Sequence, residues 1–74
     1  MHSKVQETSY VAVIFDENGA DLGPADITGA RDDEQARRFA KRAGMKWLAE
    51  NGRDRATIRV SQNGYWLPVV EVHT

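Results

Sequence analysis

The sequence predicts an α+β domain of β-β-α-β-β order, with a four-stranded antiparallel sheet (order 2-1-3-4) and one helix packed on one face. Three observations predict it. Apolar residues recur at helical spacing after Asp32, with Asn51-Gly52 as a stop. Residues 55–62 alternate apolar and polar. Asn63-Gly64 then separates this run from a second one, the signature of a two-residue hairpin turn.

Residues 1–7 are polar and aperiodic and read as a flexible N-terminal arm; residues 8–74 form the single domain. The first strand, residues 8–16 (TSYVAVIFD), is apolar on both faces, which places it centrally or beneath a cover on each side. Asp16-Glu17-Asn18-Gly19 turns the chain. Residues 20–29 contain Gly23-Pro24, so a short irregular edge strand and a loop are expected there. Asp32 is suited to cap the helix, with Gln35 completing a capping box. Ala36, Phe39, Ala40, Ala43 and Trp47 define the expected buried face, and Gly52 suits the left-handed position after the helix.

Extending the Asn63-Gly64 register without interruption pairs Gln62 with Tyr65, Val60 with Leu67 and Ile58 with Val69. The helix then covers Ala56, Ile58, Val60, Leu67 and Val69. The other face carries Trp66, Pro68, Val70 and Val72 opposite Ser61, Arg59, Thr57 and Arg55. Pro68 lacks an N–H, which makes the last strand an edge and gives the order 2-1-3-4.

One helix covers one face only. The uncovered face, with Trp66, Val70, Val72, Arg55 and Arg59, is the expected partner-binding surface. Its occupant is a protein partner or a second copy of the chain. Single-stranded nucleic acid stacking on Trp66 beside the two arginines is the alternative. The helix also carries Arg37, Arg38, Lys41, Arg42 and Lys46. Asp33 and Glu34 are placed to pair with Arg37 and Arg38, and Arg38, Lys41, Arg42 and Lys46 make a secondary basic face.

Composition narrows the function classes. Ten Lys and Arg against eleven Asp and Glu leave a net charge of −1, so no whole-molecule attraction to nucleic acid or membrane is expected. No cysteine is present, which excludes disulfides and thiolate zinc sites. The two histidines, His2 and His73, stand near the chain ends without evident carboxylate partners. Asp21, Asp26, Asp32 and Asp33 fall where turns and caps need them. With no phosphate loop, nucleophile elbow or metal spacing, neither catalysis nor a cofactor is expected. No run is long and apolar enough to span a bilayer or form a signal core, so a cytoplasmic location is expected.

The segment RATIRVSQNGYWLPVVE, following the helix DDEQARRFAKRA, resembles small phage-encoded anti-CRISPR inhibitors, some of which pair a short sheet with one helix and act by docking onto a partner. The strand, DENG turn, PADITG loop and helix of residues 10–43 resemble the antitoxin of a bacterial toxin–antitoxin pair. That family's loop usually has Pro before the Gly, where this chain has Thr28. Each resemblance covers about half the chain and carries no individual residue role across. Both imply a small bacterial or phage protein that works by binding.

Overall fold

Strands β1 (Tyr10–Phe15), β2 (Asp21–Ala25), β3 (Arg55–Gln62), β4 (Tyr65–Trp66) and β5 (Val70–His73), with helix α1 (Asp33–Asn51) between β2 and β3, make up the fold. This is the computed structural model of the chain, and it describes residues 10–74. The expected N-terminal arm lies outside the described residues. All pairings are antiparallel in the order β2-β1-β3-β4, and β5 also pairs with β3. The α+β class and strand order are those expected, but the last strand is in two pieces.

Local chemistry sets the connections. Asp16 accepts bonds from the backbone N–H groups of Asn18 and Ala20, each at 2.8 Å, which closes the first turn. Gly23 at φ 109 and Pro24 make β2 an irregular edge, with a register shift between Ile14 and Phe15. After β2, Ile27 and Ala30 are buried in the same core cluster as Ala36 and Ala40 of the helix. Asn63 (φ 50) and Gly64 (φ 87) take the positive angles of the predicted hairpin turn.

Asp32 caps α1 by accepting the Gln35 backbone N–H at 2.8 Å, while Gln35 Oε1 accepts from the N–H of Arg31. Gly52 ends the helix in the left-handed region and donates to the Leu48 carbonyl. The buried stripe is Ala36, Ala40, Gly44 and Leu48. This corrects the expected face: Phe39, Ala43 and Trp47 are half-buried on one flank. The reason is steric. The helix lies mainly over β3 and β5, and its narrowest ridge allows the closest approach to Ile58 and Val72.

The second correction concerns register. Gln62↔Tyr65 and Ser61↔Trp66 follow the hairpin, and the Leu67 N–H still reaches the Val60 carbonyl at 2.9 Å. Beyond the Pro68–Val69 break, Ile58 faces Val70, Thr57 faces Glu71, Ala56 faces Val72 and Arg55 faces His73. One extra residue has been taken up, so the alternation of the last strand is reversed. Val70 and Val72 are buried against the helix rather than on the uncovered face, and Val69 is exposed rather than in the core. The uninterrupted register would have placed Glu71 among the buried residues, at a large desolvation cost. Arg37 secures the break by donating from Nε to the Pro68 carbonyl (3.2 Å) and from Nη2 to the Val69 carbonyl (3.3 Å). Its expected partner Asp33 instead accepts a 2.8 Å bond from the Tyr10 hydroxyl.

Candidate functional site

The sheet face away from α1 is built in rows by strand pairing. Val11, Ser61 and Trp66 form the first row, across β1, β3 and β4. Pro24, Val13 and Arg59 form the second. Phe15, Thr57 and Glu71 make the third, and Arg55 with His73 closes the sheet. β1 contributes apolar groups to both faces, and this outward set is Val11, Val13 and Phe15. Val11 is 56% exposed and Trp66 is 59% exposed, both unusually open for apolar side chains set within a sheet.

Trp66 is fixed by its diagonal neighbour. The Arg59 guanidinium lies 4.7 Å from the centre of a Trp66 ring, within cation–π range. With this contact in place Trp66 remains more than half exposed. No carboxylate among the described residues comes within 4.0 Å of either Arg55 or Arg59. Arg55 sits on the same strand and face as Arg59, about 13 Å away at the strand rise per residue.

Of the expected surface residues, the structure brings Trp66 and Arg59 into contact and keeps Arg55 at the far end of the same face. Val70 and Val72 do not belong to it. Glu71 and His73 take their places, together with Val11, Val13 and Phe15. The β1 residues were visible in the sequence as the second apolar face of a central strand. Glu71 and His73 were hidden by the uninterrupted register.

The secondary basic face is divided. Arg38 pairs with Glu34 at 3.3 Å as expected, and Lys46 approaches Glu50 at 4.0 Å. Arg42 lies 6.0 Å from the centre of the Phe39 ring, and Arg37 is turned to the strand break. Arg38 and Lys46 are thus paired on the helix surface, while among the described residues Lys41 and Arg42 have no carboxylate within 4.0 Å.

Two acidic groups have clear structural roles. Backbone N–H bonds from Ala20 and Asn18, with Arg53 3.7 Å away, hold the Asp16 carboxyl below the usual carboxylate range. Bonds from the Thr28 side chain and backbone do the same for Asp26. Among the described residues no three His, Cys, Asp or Glu side chains gather as metal ligands, and no helix is long and apolar enough to cross a membrane. Compared with known proteins, the chain matches no family model, no curated protein and no solved structure.

Proposed function

We propose that the protein is a non-catalytic interaction module, which docks onto another protein or onto a second copy of itself through the helix-free sheet face. The observation that supports this is Trp66, more than half exposed, held beneath Arg59 and in line with exposed Val11. Exposing apolar area of this kind is costly in water, and burying it against a partner recovers that cost. Trp and Arg are also the residues that most often dominate interface energetics.

The test compares wild type with Trp66→Asp in sedimentation and in capture from the native host. Trp66 is more than half exposed, so the substitution is expected to leave the fold intact. The expected result is a dimer or a specific complex that Trp66→Asp weakens at least tenfold, since interface hot spots of this type contribute about 2 kcal/mol or more. A chain monomeric at all concentrations, whose captured proteins do not depend on Trp66, would overturn the reading.

Arg55 and Arg59 on the same face as Trp66 also favour single-stranded nucleic acid as a second reading. That reading requires quenching of Trp66 fluorescence by oligonucleotides, with binding that falls steeply as salt rises. The Arg59 guanidinium already covers one side of the Trp66 ring, and Glu71 lies on the same face. Both features favour a protein partner.

A further inference from the structure

On the opposite side of the sheet, where α1 overhangs β2, the flank residues Phe39 and Trp47 wall a cleft of about 500 Å³. This is independent of the helix-free face. Its size falls in the usual span for small-molecule sites, about 300–1,000 Å³. The cleft exists because the helix rests on Ala36, Ala40, Gly44 and Leu48, which leaves its bulkier side chains beside the sheet instead of beneath the helix.

Four charged residues line it: Arg42, Lys46, Asp26 and Glu50. Three are engaged. Lys46 and Glu50 pair with each other, and Asp26 accepts bonds from the backbone and hydroxyl of Thr28. Arg42 is different. Its guanidinium leans over Phe39, and among the described residues no carboxylate lies within 4.0 Å of it. Its planar array of donors suits bidentate capture of a carboxylate.

We infer that this cleft binds a small aromatic carboxylate, the carboxylate on Arg42 and the ring lying against Trp47 and along the part of Phe39 that Arg42 leaves open. The Arg53 contact of Trp47, 5.7 Å from the ring centre, is outside the cleft lining. The ring and the anion are both needed. Apolar walls alone would take any hydrophobic molecule, and a lone surface arginine would take any anion weakly.

The test uses 1-naphthoate and its neutral match 1-naphthamide, titrated into the full chain and followed by amide and indole N–H resonances. The expected result is a saturable shift at the Trp47 indole and along residues 39–50, with the Trp66 indole unmoved. Naphthoate should bind roughly tenfold more tightly than naphthamide, the scale of one charge-assisted hydrogen-bond pair. Arg42→Gln should remove that advantage and leave naphthamide binding unchanged. Lys41→Gln, which removes a helix cation outside the cleft, should change neither. The inference is overturned by shifts that do not saturate at millimolar probe, by shifts at Trp66 in place of Trp47, by equal affinity for acid and amide, or by equal losses in the two variants.

Discussion

Gly44 decides how closely the helix can approach the sheet. A Cβ there would fall inside contact distance of Ile58 Cδ1 and only 3.0 Å and 3.2 Å from the two Val72 methyls. Ile58 and Val72 are themselves almost fully buried, so any shift must displace neighbouring core side chains. Gly44→Ala gains about 1 kcal/mol of helix propensity but overpacks the core at a cost of about 1–3 kcal/mol. The expected net effect is a loss of about 1 kcal/mol, read as a lower urea midpoint with an unchanged slope. Tyr10 gives a residue-level pH dependence. Desolvation, the bond to Asp33 and the charges of Asp33 and Asp32 raise its phenol to about 12. The folded state therefore favours the protonated phenol. Its contribution is complete below the unfolded value near 10 and is lost as pH rises through about 12. Asp33→Asn should lower the Tyr10 midpoint in an absorbance titration of the phenolate.

At the scale of the element, the last strand carries the sharpest contrast. Val69 and Val72 are chemically identical and three residues apart, yet Val69 is 43% exposed and Val72 is 2% exposed. Val72→Ala should cost about 2 kcal/mol by removing buried methyls and leaving a cavity, whereas Val69→Ala should stay within about 0.5 kcal/mol. A larger loss from Val69→Ala than from Val72→Ala, measured by chemical denaturation, would mean that the break does not reverse the strand. The helix ends, the hairpin turn and the strand order were legible in the sequence, because caps, Asn-Gly turns and alternation are encoded in neighbouring residues. The break was not, because a turn specifies register only while pairing continues. Its signals were nevertheless present. Pro68 cannot extend a ladder on its N–H side, and the uninterrupted register sends Glu71 inward. The helix face was legible only to within about one ridge, since periodicity locates an apolar arc while the depth of the sheet selects the narrow line within it. Part of the candidate surface was therefore misplaced: Trp66, Arg59 and Arg55 follow from local alternation, and Val70 and Val72 depend on what happens at Pro68.

At the scale of the whole molecule, the two faces of one sheet have unequal cover among the described residues. One holds the core beneath α1. The other carries an apolar strip from β1 with Trp66 and two arginines at its margin. If a second copy is the occupant, the face contributes to stability by mass action and the melting temperature rises with protein concentration. Trp66→Asp should abolish that rise, and a concentration-independent melt for wild type would direct attention to a different protein partner. The break between β4 and β5 has a bearing on how such a surface can diversify. In an unbroken hairpin, gaining or losing one residue at the tip would turn every inward valine outward. Here the residues between Trp66 and Val70 act as a slip joint, which absorbs a change of length before it reaches Val70 and Val72. A change of length at the tip that presents Trp66 is therefore expected to leave the threading of the core the same.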